Sequence, residues 1–498
     1  MNKDNKLLYN TVTPIILEIA TIISSFILPR LMISSYGSSV NGLVSSITQF
    51  LSIISFLEMG VGSVVRYNLY KPLAQQDNKR ISEVVSAAYK FFRTLALILL
   101  CYVAVLLVLY PLKHNNEFDH LYTALLILAM SISSFSQYYF GQVNQLLLTA
   151  DQRGYISYIS QIVTIILNTI ACYVLIKCQA SIHLVKLTTS IIFLARPLYL
   201  EIYVRKHYNI NKKIHYSGEP IKQKWNGVAQ HVSAVVLDST DIIVLTLLST
   251  LPNVSIYYVY HMVVNGMKKI ITSATSGIQA KLGNIIAKGD NENLRKTFDY
   301  TEWIIHSVST FLFGCTTCLI VPFVMIYVRG VTDANYNVPL FGIVLTLAFL
   351  GHSLRLPYNM LILASGHYKE TQKCYVIAAA LNLIISIILV YYLGLIGVAI
   401  GTFVAMFYQT VWMSYYSYKN IIFKNILGFW KQMIIDAIVV AVLVLIYLYI
   451  QPSPLNYFEF ALYGLCFSFI SIFTIFLMNI IVNRSMFFTL MKHLIKKQ

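Results

Sequence analysis

The chain has 498 residues, of which 57% are hydrophobic and only 11% are charged, and it carries a formal net charge of +17. A soluble domain contains about 25% charged residues, so this composition excludes an ordinary soluble enzyme and indicates a polytopic membrane protein. An open sheet would leave unpaired backbone groups in lipid, so the predicted fold class is an all-α integral membrane bundle.

Apolar runs long enough to cross a hydrocarbon core of about 30 Å recur along the whole chain. About fourteen transmembrane helices are predicted, six before and eight after a polar stretch at 205–224. Their predicted bounds are 7–34, 40–66, 83–110, 118–149, 155–178, 182–204, 225–250, 253–283, 296–328, 337–365, 372–392, 394–418, 430–450 and 456–482. The connections are short and contain Gly, Pro and Asn, which are typical of turns.

Two sequence matches indicate a duplicated unit of six helices. Ala74–Asn78 matches Ala287–Asn291, and Ala150–Asn168 matches Ala364–Asn382, with offsets of 290 − 77 = 213 and 382 − 168 = 214. An even number of helices gives both copies the same orientation in the membrane, which places substrate between them. The predicted parts are an N-lobe at 1–204, a cytosolic linker at 205–224, a C-lobe at 225–418, and two accessory helices with a cytosolic tail at 419–498.

The positive charge is distributed unevenly. Of the 37 Lys and Arg residues, about 26 fall on one side of the predicted membrane and 4 on the other. Cytosolic loops carry such an excess, so both termini are predicted to be cytosolic. The charge therefore marks topology, and nucleic acid is not an expected partner.

Charged side chains inside the predicted helices are candidate functional residues, because a charge at the centre of a membrane helix costs about 2.5–3.5 kcal/mol. The deepest basic residues are Arg30, Lys268, Lys269 and Arg355. Both Arg and Lys bind phosphate, so these residues indicate an anionic ligand in a water-filled cavity between the lobes. Further candidates for lining this cavity are Arg66, Lys90, Arg93 and Asn265. The three basic residues among these lie near cytosolic helix ends, where the alternative is that they extend to the interface.

Four acidic residues are candidates for coupling to H⁺ or Na⁺, namely Glu18, Glu58, Asp238 and Asp241. The alternative for Asp238 and Asp241 is that they pair with a basic residue to neutralise the bundle. The histidines at 183, 261 and 306 are expected to be packing groups, not ligands or proton carriers. The accessory helices are expected to hold almost no polar side chains in their middles apart from Ser468, Ser471 and Thr474.

No cofactor or metal site is predicted. The chain has no nucleotide-binding motif, which disfavours transport driven directly by ATP. Its seven cysteines show no metal-ligand spacing. Most lie in apolar segments and are expected to pack in apolar cores, namely Cys101, Cys172, Cys315, Cys318 and Cys466.

Several short motifs carry a resemblance to a known family. They are Tyr36–Leu43 (YGSSVNGL), Glu58–Gly60 followed by Arg66-Tyr67, Asp241–Ile243, and Leu393–Thr402 (LGLIGVAIGT). On these motifs the sequence resembles the Wzx-type polysaccharide flippases of the multidrug/oligosaccharidyl-lipid/polysaccharide exporter superfamily. It departs at Asn41, where the family often has an aromatic residue, and at Glu58, where it often has Asp.

The resemblance implies a multi-pass transporter of the bacterial cytoplasmic membrane, and not an enzyme. It implies that the chain flips undecaprenyl-diphosphate-linked oligosaccharide units to the outer leaflet for surface polysaccharide biosynthesis. Polysaccharide polymerase and glycosyltransferases are then expected partners. The diphosphate would contact the deepest basic residues, and the polyprenyl tail would stay among membrane lipids.

Other functions stay open. A multidrug or ion antiporter of the same superfamily would favour an acidic or aromatic cavity, whereas the cavity predicted here is basic. A membrane-embedded polysaccharide polymerase or ligase usually needs a large outer loop with catalytic residues, whereas the predicted outer connections are short. A lipid scramblase or a channel is a further alternative.

Overall fold

The computed structural model describes residues 3–113, 117–211, 228–275 and 277–482, together with Ile214 and Arg484. Every regular element in this part of the chain is helical, which confirms the predicted all-α class. Most of the predicted linker at 205–224 lies outside the described residues. The chain divides into two compact units, Met1–Val235 and Val236–Gln498.

Seven helices lie wholly in the first unit. They are α1 (Lys3–Ser52), α2 (Met59–Gln75), α3 (Asn78–Lys113), α4 (His120–Ser136), α5 (Gln142–Ala150), α6 (Gly154–Lys177) and α7 (Ile182–His207). A 3-10 segment, Ile53–Leu57, connects α1 to α2, and a π-helical turn, Gln137–Gly141, connects α4 to α5.

The second unit contains the remaining helices, of which α8 begins before the boundary between the units. They are α8 (Val228–Leu248), α9 (Leu251–Thr275), α10 (Ile278–Ala287), α11 (Asn291–Tyr327), α12 (Pro339–Leu354), α13 (Leu356–Ala364), α14 (Tyr368–Leu393), α15 (Leu395–Ser417), α16 (Leu427–Ile450) and α17 (Tyr457–Val482). A π-helical turn, Tyr418–Ile422, follows α15.

A kink at Gly37 divides α1 into two spans. Gly37 has φ 86° and ψ 171°, a conformation that only glycine adopts without strain. The Tyr36 hydroxyl next to it donates to the Ala180 carbonyl over 2.6 Å, which fixes the bend against the start of α7. The connection between the predicted spans 7–34 and 40–66 is therefore a bend within α1.

Eleven helices in the described residues are long and apolar enough to cross a membrane, and one of them, Leu8–Ser55, contains both spans of α1. Two more helices, α8 with 21 residues and α9 with 25, have sufficient length. Polar side chains such as Asn265 and Lys268 lower the hydropathy of α9. The apolar helices make the chain a multi-pass membrane protein.

The same order of helices recurs in both units at a nearly constant offset. Helices α3 and α11 begin at residues 78 and 291, and α5 and α13 begin at residues 142 and 356. The matched aspartates found in the sequence explain where α3 and α11 begin. Asp77 accepts from the Arg80 backbone N–H and Asp290 from the Asn293 backbone N–H, each over 3.0 Å. Both carboxylates satisfy an N–H in the first turn of a helix, as N-cap residues do.

Helices α16 and α17 pack against α11 through an apolar cluster in the second unit. Its buried members include Cys315, Cys318, Val439, Leu443 and Phe467. The packing role expected for these two cysteines is therefore confirmed. Cys172 is also buried, whereas Cys101 and Cys466 are exposed, so the expectation of core packing was wrong for those two.

Candidate functional site

Two predicted basic residues of the second unit meet beside α12. Arg355 directly follows α12 and is only 7% exposed, and its Nε has no hydrogen-bond partner among the described residues. The Lys268 ammonium of α9 lies 5.7 Å from the centre of the Phe349 ring. Both cations lie close enough to His352 for their charges to act on it. Phe349 and His352 are one helical turn apart, so one side of α12 carries this basic group.

The two other predicted residues of α9 accompany this group. Lys269 follows Lys268 directly, and Asn265 precedes Lys269 by one helical turn; both are half-buried. His261 is also half-buried, and its ring lies edge-on to Phe349 at 5.4 Å. His261 and Lys268 of α9 therefore both lie against Phe349 of α12.

The basic candidates of the first unit have different surroundings. Arg30 is half-buried and follows Pro29 in α1, and Arg66 is half-buried on α2. Lys90 and Arg93 are exposed on α3. Arg93 contacts two aromatic rings. Its guanidinium lies 5.4 Å from the centre of the Tyr89 ring and 5.0 Å from that of Tyr139. A shared chamber for the basic residues of both lobes stays a prediction.

Asp241 is a predicted acidic candidate that is buried among other helices. Its carboxylate is 3% exposed and accepts hydrogen bonds from Tyr257 (2.7 Å), Thr402 (2.5 Å) and Asn382 (3.3 Å). These donors come from α9, α15 and α14, so four helices meet at this carboxylate. The Asn382 side-chain oxygen is buried and has no hydrogen-bond partner among the described residues. The site thus gathers a carboxylate, a hydroxyl and an amide oxygen, which are ligands that hard cations prefer.

Two glycines explain why α14 and α15 approach closely at this site. A Cβ added at Gly401 would lie 2.2 Å from Ser386 Oγ, and one added at Gly397 would lie 2.3 Å from the Leu389 carbonyl oxygen. No side chain fits at such distances, so both positions require glycine. The motif LGLIGVAIGT therefore contains the residues that bring Thr402 against α14.

The other acidic candidates are less enclosed or less completely described. Glu18 is half-buried in α1. Glu58 follows the 3-10 segment and lies near Tyr138. The side chain of Asp238 lies outside the described part of the chain.

Sequence reasoning missed a buried acid in the first unit. Glu201 of α7 is 7% exposed and accepts from Tyr89 (2.7 Å), Asn144 (2.7 Å) and Arg205 (2.8 Å). It lies near the end of the last helix of the first lobe. At that position the sequence alone predicts that a Glu lies at the membrane interface. Only the contact with α3 and α5 shows that it is buried.

Sequence reasoning also missed an acidic network in the second unit. Asp436 of α16 is 3% exposed and lies 2.6 Å from His306 of α11, which is 0% exposed. The expectation that the accessory helices hold almost no polar side chains in their middles was therefore wrong. The available signal was the spacing of Glu302, His306 and Thr310, which are four residues apart and share one face of α11.

No protein-family model and no curated protein sequence matches this chain. Among solved structures, the lipid II flippase MurJ in an inward closed conformation is similar, with a TM-score of 0.68 and 17% identity over 95% of this chain and 100% of that one. An inward-facing multidrug resistance transporter of the MATE family has a TM-score of 0.66 and 14% identity over 79% of this chain and 93% of that one. The eukaryotic MATE transporter AtDTX14 has a TM-score of 0.57 and 13% identity, covering 83% and 94%.

The chain has the fold of MurJ and the MATE transporters. The similarity to MurJ extends over nearly the whole chain. The predicted fold class, an all-α membrane bundle, is confirmed.

Proposed function

We propose that the chain is a flippase that moves an undecaprenyl-diphosphate-linked oligosaccharide across the bacterial cytoplasmic membrane. The observation that carries this proposal is the basic group at Lys268 and Arg355. Arg355 has a buried Nε without a hydrogen-bond partner, and no carboxylate of the described residues lies within ion-pair distance of it. An unpartnered buried donor costs about 1–3 kcal/mol, and more when it is charged, so the site is suited to an anion.

A diphosphate matches this site chemically. Its oxygens accept charge-assisted hydrogen bonds from a guanidinium, and an ammonium next to it adds a point charge. The ring of Phe349 beside Lys268 supplies an apolar surface. The likeness to the lipid II flippase MurJ supports a lipid-linked cargo for this chain.

A multidrug antiporter is the second candidate, because MATE transporters have the same fold. The basic group disfavours it, since Lys268 and Arg355 would repel a cationic drug. We propose that the cargo also contacts basic residues of the first unit, each to be tested separately: Arg30, Arg66, Lys90 and Arg93.

We also propose that Asp241 couples transport to H⁺ or Na⁺. The carboxylate is enclosed by donors from three other helices, so gain or loss of a cation there changes the contacts among α8, α9, α14 and α15. Glu18, Glu58 and Asp238 stay candidates for the same role.

Flipping measured in liposomes tests the proposal. The full chain is reconstituted with a fluorescent undecaprenyl-diphosphate oligosaccharide, and the rate is compared with that of Arg355→Ala and Lys268→Ala. Each variant is expected to slow flipping about tenfold or more, as the loss of one charge-assisted hydrogen bond predicts. Lys296→Ala is the matched control, since that lysine is 68% exposed on its side chain and pairs only with neighbouring charges of its own helix end.

Two outcomes would contradict the proposal. Wild-type rates in both variants would remove these residues from the site. Transport of a cationic dye by the same liposomes, without flipping of the lipid, would favour the antiporter.

A further inference from the structure

A chain of hydrogen bonds joins two buried carboxylates of the second unit through a histidine and a tyrosine. Asp436 Oδ2 lies 2.6 Å from His306 Nδ1, and His306 Nε2 lies 3.1 Å from the Tyr358 hydroxyl. The Tyr358 hydroxyl is hydrogen-bonded in turn to Glu302 Oε1. The order is therefore Asp436, His306, Tyr358, Glu302, and it connects α16, α11 and α13. We call these four residues the acid–imidazole chain.

The acid–imidazole chain is enclosed almost completely. His306 and Tyr358 are 0% exposed, Asp436 is 3% exposed and Glu302 is 6% exposed. A buried carboxylate without compensation is costly, so the charges within the chain must balance closely. Protonation of one of the four residues brings their net charge closer to zero.

Fixed donors hold the outer oxygens of both carboxylates. Tyr418 donates to Glu302 Oε2 over 2.7 Å, and Thr310 donates to Asp436 Oδ1 over 2.7 Å. The inner oxygens, Glu302 Oε1 and Asp436 Oδ2, remain for Tyr358 and His306. The exchangeable protons of the acid–imidazole chain are therefore confined to the three hydrogen bonds that join its four residues.

Counting protons in these three bonds gives two equivalent arrangements. In the first, His306 is an imidazolium that donates to Asp436 and to Tyr358, and Tyr358 donates to an ionised Glu302. In the second, Glu302 is protonated and donates to Tyr358, Tyr358 donates to a neutral His306, and His306 donates to Asp436. Both hold the same number of protons and carry the same net charge of about −1.

One concerted shift converts the first arrangement into the second. The bond from His306 Nε2 to its proton breaks as that proton bonds to the Tyr358 oxygen. The hydroxyl proton of Tyr358 moves at the same time to Glu302 Oε1. No electron is transferred to another molecule, and no co-reactant is needed.

With one proton fewer, the acid–imidazole chain cannot form all three of its inner hydrogen bonds. Glu302 and Asp436 would both be ionised beside a neutral His306, and the single hydroxyl proton of Tyr358 could not serve both of its neighbours. One hydrogen bond would be lost, and the net charge would become about −2. The geometry therefore suits a site that binds one exchangeable proton.

Glu302 gives this proton a route to water. It lines a cleft of about 250 Å³ together with Trp303, Tyr418, Lys424 and Lys431. The charged groups beside this end of the chain are Lys424 and Lys431 at the cleft and Asp299, which pairs with Lys424 over 2.5 Å. The cleft lies near the start of α11, on the side of the membrane predicted to be cytosolic.

We propose that the acid–imidazole chain is a proton-binding site that loads through Glu302 and shares the proton between Glu302 and His306, the partner of Asp436 on the accessory helix α16. The site goes beyond the proposed flipping activity and is separate from the cluster around Asp241. Its ligand is a proton from the aqueous phase, which is held on Glu302 in one arrangement and on His306 in the other. Loading with a proton then strengthens the contact between α11 and α16, because the His306 imidazolium on α11 attracts the Asp436 carboxylate on α16.

Infrared difference spectroscopy of the purified full chain, titrated with pH, tests this site. Wild type is expected to show a protonated-carboxyl signal and an imidazole signal that change at one common midpoint, because one proton is shared between them. Glu302→Gln is expected to lose the carboxyl signal. Tyr358→Phe is expected to separate the two midpoints, since it removes the bridging hydroxyl and keeps the ring.

Tyr375→Phe is the matched control, because Tyr375 is buried in the same unit but donates to Asn359 and lies outside the chain. It should keep the common midpoint. A carboxyl signal that persists in Glu302→Gln, or a common midpoint that persists in Tyr358→Phe, would overturn the proposal. If Glu302→Gln does not fold, the comparison of Tyr358→Phe with Tyr375→Phe decides alone. None of these readouts depends on flipping, so failure of the proposed function would leave the result unaffected.

Discussion

The Thr402 hydroxyl donates to the Asp241 carboxylate over 2.5 Å, although the two residues are 161 positions apart. The same hydroxyl lies 3.0 Å from the Asn382 amide nitrogen, so one side chain connects α8, α14 and α15. This arrangement depends on the close approach of α14 and α15, and it yields the first two predictions.

Gly401→Ala should lower the stability of the second unit. A Cβ there would lie 2.2 Å from Ser386 Oγ and 2.9 Å from the Ser386 backbone nitrogen, so α15 would have to move away from α14. Overpacking of this kind costs about 1–3 kcal/mol. Thermal unfolding in detergent measures the loss. Gly266→Ala is the control, because nothing lies within 4 Å of a Cβ at that position in α9, and it should leave the midpoint unchanged or raise it.

Thr402→Val should weaken the cluster around Asp241, whereas Thr402→Ser should preserve it. Valine has the shape of threonine but leaves the buried carboxylate with one donor fewer, at a cost of about 1–3 kcal/mol. Serine retains the donating hydroxyl. If Asp241 couples transport to a cation, Thr402→Val should also change the dependence of flipping on Na⁺ or on pH. Equal behaviour of the two variants would show that the hydroxyl has no role.

Asp436→Ala should detach α16 from α11 more strongly than an apolar cavity alone would. The substitution removes the partner of His306 and of Thr310, and breaking a buried pair costs about 3–5 kcal/mol. The unfolding midpoint should fall, and a protease should cleave near the start of α16 sooner. Ser468→Ala in α17 is a comparison for a polar change in the other accessory helix. A fall in the unfolding midpoint no larger than that of Ser468→Ala would contradict the role assigned to Asp436 in holding α16 against α11.

Stability should decrease above about pH 10 through Tyr208, which lies just outside the membrane-spanning part of α7. Burial raises the pKa of Tyr208 above its usual value of 10.0, and the carboxylate of Asp151, which accepts its hydroxyl over 2.5 Å, raises this pKa further. A group whose pKa is raised on folding stabilises the protein below its unfolded pKa and loses this effect as pH rises. The unfolding midpoint, measured from about pH 8 to about pH 11, should therefore fall at the alkaline end.

Tyr208→Phe should remove this part of the pH dependence and lower the midpoint near neutral pH, since the hydrogen bond is lost. Tyr67→Phe is the control because Tyr67 is 75% exposed. An unchanged alkaline slope in Tyr208→Phe would assign the effect to another residue.

Much of the architecture follows from local features of the sequence. Apolar length fixes the helices because the bilayer requires internal hydrogen bonds, and Gly37 marks the bend in α1 because its backbone conformation excludes other residues. The matched aspartates at 77 and 290 mark the starts of equivalent helices. The helical spacing of Asn265 and Lys268 also predicts which face of α9 is polar.

Contacts between distant helices could not be read from the sequence. Asp436 is a single acid in a long apolar run, and only its proximity to His306, 130 positions away, shows its role. The partners of Asp241 are equally remote in sequence. Periodicity identifies a polar face but does not identify the residue that covers it.

The repeat offset relates the two missed acidic networks to each other. Tyr89 and Glu302 are separated by 302 − 89 = 213 positions, and Asn144 and Tyr358 by 358 − 144 = 214, the two offsets of the duplication. One copy has its phenol on α3 and receives its acid from α7, whereas the other copy has the acid on α11 and the phenol on α13. Each unit thus contains a buried pair of an acid and a phenol, and the helices that supply the two members differ between the units.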